Sequence, residues 1–362
     1  MSTDVLELAL LRRLAAGFRR SPLQLNAHQE SDAELVRLPG HHGVLALTTD
    51  NLAEEIETGL YDDPYRIGWM TVLVNASDLA AVGAEPIGIL IAETLPPGLS
   101  DEFVGRLQAG IAEAAAACRL PVLGGDTNFA ARLQVGGTAV GWISDGHAVT
   151  RRGCAAGDRL YASGPLGGGS AFAFLQLRAR AGAAGRVPPF QPQPRLREGR
   201  LVRHHATCAM DTSDGALATL DQLARVNGVG FTVDAPEARW LHSDAVAVAT
   251  VAGLPAWMLL AGPHGEFVLL FTVPAAREAE FLAAAAAEGW APVALGSVTA
   301  ERAIRVPRGE ALVALDTGRI RNLFTTAGGD LDRYLEGLRE EDRRSAVGAG
   351  PHEPAGPAPA AR

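Results

Sequence analysis

The stretch Cys208-Ala209-Met210-Asp211-Thr212-Ser213-Asp214-Gly215 constrains this chain more than any other. It sets two carboxylates three residues apart between a short apolar run and an amphipathic segment, which reads as strand, turn and helix. Asp211 then stands at the strand end and Asp214 near the helix N-terminus, where a carboxylate satisfies free backbone N–H groups or faces a cation. Taken alone, the octapeptide reads as a helix cap before it reads as a metal site, because caps are far more common. Similar acidic turns elsewhere in the chain decide the matter.

Such turns recur. The apolar, β-branched run Val44 to Thr49 predicts a strand that ends on Asp50. Ile67 to Ala81 has helical spacing, with Gly83 as its stop, and carries Asp78 among small residues that let other backbone approach. Asp101 to Cys118 predicts an amphipathic helix, and Leu120 to Leu123 a short buried strand running into Gly124-Gly125-Asp126-Thr127. Asp32 lies in the turn before the first strand. Asp32, Asp50, Asp78, Asp126, Asp211 and Asp214 thus fall at turns or element ends, and together they suggest an oxygen-only site for a hard cation such as Mg²⁺. Mg²⁺ keeps waters and bridges to substrate phosphates, so the expected ligand is a nucleotide triphosphate. Phosphoryl transfer needs mainly positioning and charge neutralisation, so the lack of a Ser/His/Asp or Cys/His arrangement is no objection.

Composition narrows the classes further. With 362 residues, 48% of them hydrophobic and 20% charged, the chain has room for two packed domains. A formal net charge of −9 without any Lys/Arg-rich run argues against nucleic-acid binding. No apolar run approaches the ~18 residues of a membrane span, and the N-terminus does not resemble a signal peptide. Cys118, Cys154 and Cys208 lack metal-site spacing and read as reduced core thiols, which fits a cytoplasmic protein. His41-His42 sits in an expected hairpin turn, and Trp240 and Trp257 are expected to pack rather than to stack on a ligand.

The polar, glycine-punctuated segment Arg151 to Asp158 marks the expected boundary between an N-terminal domain, 1–150, and a C-terminal domain, 151–330. Beyond it, Gly164 to Ser170 is a glycine-rich strand-to-helix turn able to cradle phosphate, although it lacks the lysine of a P-loop. Gly185 to Gly199 is read as a proline-rich surface loop, Glu266 to Val273 as a strand and Val293 to Thr299 as a closing strand. The tail 339–362 is expected to be disordered.

Seven motifs in one order resemble the thiamine-monophosphate kinases, in the superfamily of aminoimidazole ribonucleotide synthase, selenophosphate synthetase and a hydrogenase maturation protein. They are Ser31-Asp32-Ala33, Thr48-Thr49-Asp50, Val74-Asn75 through Ala84, Gly124-Gly125-Asp126-Thr127, Arg151 through Asp158, Pro194-Arg195 through Gly199, and Asp211 through Gly215. The resemblance implies a two-domain α+β, PurM-like fold, with an N-terminal α/β domain that forms a dimeric β-barrel and a C-terminal α+β sandwich. It implies Mg²⁺ on Asp32, Asp50, Asp78, Asp126, Asp211 and Asp214, ATP contacts from Gly125, Asp126, Arg151 and Ser213, and a homodimer with ATP and a small, phosphorylated acceptor as partners. The implied activity is transfer of the ATP γ-phosphate. The alternatives are an ATP-dependent synthetase or cycloligase that activates an amide or carbonyl oxygen, or a catalytically silent nucleotide-binding protein.

Three departures from the family pattern leave the Mg-ATP half largely kept and alter the acceptor half. Where the kinases carry Gly-Gly-Glu-Asp-Tyr-Glu, this chain has Pro263-His264-Gly265-Glu266-Phe267-Val268, so the acid expected to hold the acceptor is Gly265, with Glu266 as its substitute. Ser31 replaces the first Asp of a pair. Glu54-Glu55-Ile56-Glu57-Thr58 lacks the family's Gly-Val-His.

Overall fold

The computed structural model describes residues 3–183, 186–309 and 311–348, and within them two sheets, each built from its own half of the chain, divide the core. The first half runs α1 (Leu6–Ala15), β1 (Glu34–Val36), β2 (Val44–Asn51), α2 (Ala53–Thr58), α3 (Pro64–Ala81), β3 (Glu85–Leu95), α4 (Asp101–Ala117), β4 (Val122–Phe129) and β5 (Gln134–Ile143). Its strands lie in the order β1-β2-β5-β3-β4, antiparallel except for the β3–β4 pair.

The second half runs β6 (Arg159–Ala162), α5 (Gly168–Arg180), α6 (Leu196–His205), β7 (Cys208–Asp211), α7 (Ala216–Asn227), β8 (Gly230–Val233), α8 (Glu237–Trp240) and α9 (Ser243–Ala252). It continues through β9 (Leu269–Val273), α10 (Glu278–Ala287), β10 (Val293–Thr299), β11 (Ile304–Arg308), β12 (Ala311–Leu315), α11 (Thr317–Ala327) and α12 (Leu331–Gly348). Its strands lie in the order β12-β11-β8-β10-β6-β9-β7, antiparallel except for β8–β11.

Helix α3 joins the halves. It starts where the Asp63 carboxylate accepts the Arg66 N–H at 3.0 Å with Pro64 in the first turn, and it stops before Gly83 at φ +69°. A helix apolar on every side must be covered on every side. Met70 to Leu73 and Leu79 to Ala81 are fully buried, between β2, β5 and α4 of the first half and α6 and β7 of the second. Its crossing with α4 depends on two glycines: a Cβ on Gly68 would stand 2.0 Å from the Leu107 carbonyl oxygen, and one on Gly110 would stand 2.1 Å from that of Tyr65. The last turns of α3 therefore deliver Asn75, Ser77 and Asp78 to the seam between the two domains.

Several expectations need correction. The segment around Gly124-Gly125-Asp126 is part of β4, and every residue of that strand is exposed rather than buried, because β4 is the edge of its sheet and neither face is covered. The proline-rich loop gives way to α6 at Leu196. The strand expected from Glu266 begins only at Leu269, since Phe267 adopts φ +58° and breaks the extended run. Val293 to Thr299 does not close its sheet but lies inside it, followed by β11, β12, α11 and α12. Residues 339–348 of the tail expected to be disordered are helical; the rest of it lies outside the described residues. Trp240 and Trp257 are buried core residues, and the three cysteines are buried and free. No helix among the described residues is long and apolar enough to cross a membrane.

Candidate active site

At the seam, carboxylates from both domains converge. Oxygens of Asp32, Asp78 and Asp211 all lie within 4.8 Å of one another. Asp32 precedes β1, Asp78 sits in the last turn of α3, and Asp211 ends β7, so one loop, one helix and one strand each contribute an acid. Asp50 joins them from β2. Its backbone N–H donates to Asn75 Oδ1 at 3.2 Å, which ties the strand to α3.

Each acid is fixed by a neighbour. Arg151 donates to Asp32 Oδ1 at 3.0 Å, and its own N–H donates to the Glu30 carbonyl at 2.8 Å, pinning the segment before β1 to the domain junction. The Thr48 hydroxyl donates to Asp78. The Ser77 hydroxyl donates to Asp211 Oδ2 at 2.5 Å, and Ser213 donates to Asp211 Oδ1 from its hydroxyl at 2.8 Å and its N–H at 3.2 Å. Ser213 thus spends both donors on orienting Asp211. Asp32 Oδ2, by contrast, is buried with no partner.

The electrostatics follow from that crowding. Burial, together with Asp50, Asp211 and Asp32, holds the Asp78 carboxyl far above its ordinary value. Burial and Asp32 push Asp211 up to about 7, and burial pushes Asp50 up as well. Among the described residues the Arg151 guanidinium acts on three of these acids, Asp32, Asp78 and Asp211, so ionising the whole cluster at neutral pH costs free energy unless a further cation is added. A donor set made of carboxylate and hydroxyl oxygens, with one buried carboxylate oxygen unspent, fits Mg²⁺.

Asp214 is placed differently. The N-cap of α7 is Gly215, and no side chain caps the helix, so Asp214 is not its cap. Its carboxylate opens on a cavity of about 550 Å³, while protein on its other sides and the charge of Glu7 push it up to about 6. The cavity runs from Asp214 and α2, along α5 and the 258–264 segment, to α11 and α12.

Two expected site residues lie elsewhere. In the sheet register Asp50 aligns with Gly137, Ile91 and Gly125, so Gly125 and Asp126 sit three strand spacings away, roughly 14 Å. Asp126 is exposed there, its carboxylate accepting from Asn128 at 2.7 Å. A Cβ on Gly125 would stand 1.9 Å from the Ile91 carbonyl oxygen, so strand packing alone requires that glycine.

Glu266 points away from the cavity. Its carboxylate accepts the Gly169 N–H at 3.3 Å and the Thr212 hydroxyl at 3.4 Å, and burial pushes it up to about 7. The glycine-rich turn that opens α5 is thus filled from within by a carboxylate rather than left free for phosphate. Gly265 has a packing reason of its own: a Cβ there would stand 1.4 Å from the Thr212 carbonyl oxygen, so no side chain fits.

The matches to known proteins parallel this geometry. Residues 30–143 match the AIR synthase related protein N-terminal domain, and residues 155–308 match the AIR synthase related protein C-terminal domain. The thiamine-monophosphate kinase of Methanospirillum hungatei JF-1 is 32% identical over 247 residues, 67% of this chain and 79% of that protein. The chain belongs to this family. It is a thiamine-monophosphate-kinase-like member of the AIR-synthase-related proteins, with their two-domain PurM-like fold. The thiamine-monophosphate kinase of Escherichia coli strain K12 is 29% identical over 276 residues, 74% of this chain and 82% of that one. AaThiL, solved in complex with AMPPCP and TMP, superposes with a TM-score of 0.69 at 24% identity, covering 84% of this chain and 95% of its own.

The sequence assigned no individual role to Asn75, Ser77, Thr48 or Arg321, although the first three stand in motifs that carry the resemblance. The first two carried a signal in the small polar residues beside Asp78. Arg321, on α11, bonds Glu7 at 3.1 Å and Asp221 at 3.2 Å, and nothing in its local sequence marked it.

Proposed function

We propose that this protein is a Mg²⁺-dependent ATP phosphotransferase that moves the γ-phosphate to a small acceptor held in the cavity beside Asp214. The observation that carries this reading is the convergence of Asp32, Asp78 and Asp211 within 4.8 Å at the domain seam, with Asp32 Oδ2 buried and unpartnered. Relatives named as thiamine-monophosphate kinases support the reaction class.

In this reading Asp32, Asp50, Asp78 and Asp211 hold Mg²⁺, with Asp214 on the acceptor side. Held by these oxygens, Mg²⁺ would supply the positive charge that a triphosphate and its leaving phosphoryl group need. Arg151 fixes Asp32, Ser77 and Ser213 fix Asp211, and Thr48 fixes Asp78, so the oxygens are preorganised before ligand arrives. Asp126 on β4 lies too far along the sheet to join the same carboxylate group. We place it instead at the protein's edge, where the exposed apolar residues Val122, Leu123 and Phe129 are suited to pairing β4 with a second copy of the chain.

Calorimetry with AMPPCP, with Mg²⁺ and again with excess chelator, tests the metal bridge; equal affinity in both would overturn it. γ-Labelled ATP separates the reaction types. A kinase leaves the label on a released acceptor, whereas a synthetase of the cycloligase kind releases it as inorganic phosphate, and thiamine monophosphate is the first acceptor to try.

A further inference from the structure

Unmet hydrogen-bonding demand gathers around the segment Gln29 to Asp32. Among the described residues seven buried side-chain atoms have no hydrogen-bond partner, and four of them, Ser31 Oγ, Asp32 Oδ2, Arg151 Nε and Gln222 Oε1, belong to this segment and the two side chains that hold it. Arg151 bonds Asp32 through its guanidinium at 3.0 Å and the Glu30 carbonyl through its backbone N–H at 2.8 Å, while Gln222 on α7 donates to Gln29 Oε1 at 3.2 Å. The other three atoms are Nε of Arg195, Arg203 and Arg319, guanidiniums already paired with carboxylates. Gln29 stands at φ +61°, a conformation a glutamine rarely takes, so these two anchors hold the segment in a set shape.

Ser31 differs from the other three residues of this group, because its hydroxyl is the whole polar part of its side chain. It is more than nine-tenths buried and directly precedes Asp32, whose carboxylate lies within 4.8 Å of those of Asp78 and Asp211. A hydroxyl hidden from water without a partner destabilises the free protein, so a partner must reach it in another state. The chemistry of the four atoms sorts what would arrive. Asp32 Oδ2 and Gln222 Oε1 only accept, which suits a hard cation and the waters it keeps, whereas Ser31 Oγ–H and Arg151 Nε–H donate, which suits phosphate oxygen. An acid at position 31 would meet a phosphate only with a cation between them. A hydroxyl donates to it directly.

We propose that Ser31 is a further binding residue for the Mg-nucleotide, its hydroxyl donating to a phosphate oxygen where an acid would instead demand one more cation. This inference rests on the phosphotransferase reading, since it concerns the nucleotide that reaction would consume. The replacement of an acid by Ser31 is then a change in how the phosphate chain is held, by a direct hydrogen bond in place of a metal bridge.

Two measurements on the full chain test it without turnover: thermal melts in excess chelator, and calorimetric titration of AMPPCP over a range of Mg²⁺ concentrations. Ser31→Ala should melt at or above wild type in chelator, because it removes a buried hydroxyl that bonds nothing there. At saturating Mg²⁺ the same variant should bind AMPPCP about tenfold or more weakly, the scale of a hydrogen bond to a charged oxygen. Ser31→Asp should lose AMPPCP affinity more steeply than wild type as Mg²⁺ is lowered, since the added carboxylate needs its own cation. Three results would each overturn the proposal. They are a Ser31→Ala protein that melts below wild type in chelator, which would give the hydroxyl a partner inside the free protein; a loss of affinity under about threefold, too small for a charged acceptor; and a Ser31→Asp protein whose Mg²⁺ dependence matches wild type. Failure of the phosphotransferase reading has a separate signature, namely wild-type AMPPCP binding that ignores Mg²⁺.

Discussion

Replacing Asp211 with Asn should stabilise the metal-free protein and weaken the metal-bound one. In the fold, burial and Asp32 raise the Asp211 carboxyl from 3.8 to about 7, so the folded state binds its proton more tightly than the unfolded chain. Stability is therefore full below the unfolded value and falls as pH rises toward the folded one. Three pKa units correspond to roughly 4 kcal/mol at 1.36 kcal/mol each. Because Asp78 and Asp32 share the repulsion, one neutralisation recovers roughly 2–4 kcal/mol of that. Asn keeps an acceptor for Ser213, and the Ser77 hydroxyl can turn to accept from the new amide. In chelator near pH 8, Asp211→Asn should thus melt several degrees above wild type, and below about pH 4 the two should coincide. With saturating Mg-AMPPCP the order should reverse, since the variant loses a charged ligand. Differential scanning calorimetry at the two pH values, with chelator and with Mg-AMPPCP, reads all of this. A variant less stable than wild type in chelator near pH 8 would refute the account of crowded, uncompensated carboxylates.

Other perturbations examine the surrounding structure. Gly265→Ala sets a Cβ 1.4 Å from the Thr212 carbonyl oxygen, where backbone and not a flexible side chain must move. It should cost more than about 3 kcal/mol, and a melting temperature within a degree or two of wild type would contradict the packing. His264 bonds the Tyr61 hydroxyl at 2.6 Å and is held at about 4 by burial, so wild type should lose stability as pH falls from 6.5 toward 4 while the imidazole must stay neutral. His264→Phe should remove that acid limb and cost about 1–3 kcal/mol at neutral pH for the stranded hydroxyl, both visible in urea titrations across pH. Leu123→Glu, on exposed β4, should shift the protein toward monomer in sedimentation if β4 carries the pairing, with an unchanged melting temperature at low concentration.

The sequence announced the metal cluster better than the space around it, for a physical reason. Asp50, Asp78 and Asp211 each end or interrupt an apolar element, and a carboxylate in such a setting leaves a local trace because apolar neighbours cannot satisfy it. Asp126 shows the same trace, yet it sits roughly 14 Å along the sheet, because the pattern reports a strand and a turn but not which sheet position the strand takes. Glu266, the expected substitute for an acid at Gly265, does not line the cavity. Phe267 at φ +58° breaks the extended run and turns the carboxylate onto the α5 N-terminus.

The cavity was the least legible part because its walls come from α2, α5, α7, α11 and α12, none of which is amphipathic in a way that marks a ligand face. Its last two helices lie beyond residue 308, where the family match ends. The segment 263–268 nevertheless gives one departure from the family, Gly265, a packing reason of its own. Asp32 and Asp211 are held by hydrogen bonds that cross the domain seam, so altering either acid disturbs both domains at once. Gly265 instead answers to a steric demand from Thr212, and meeting it leaves no side chain at that position.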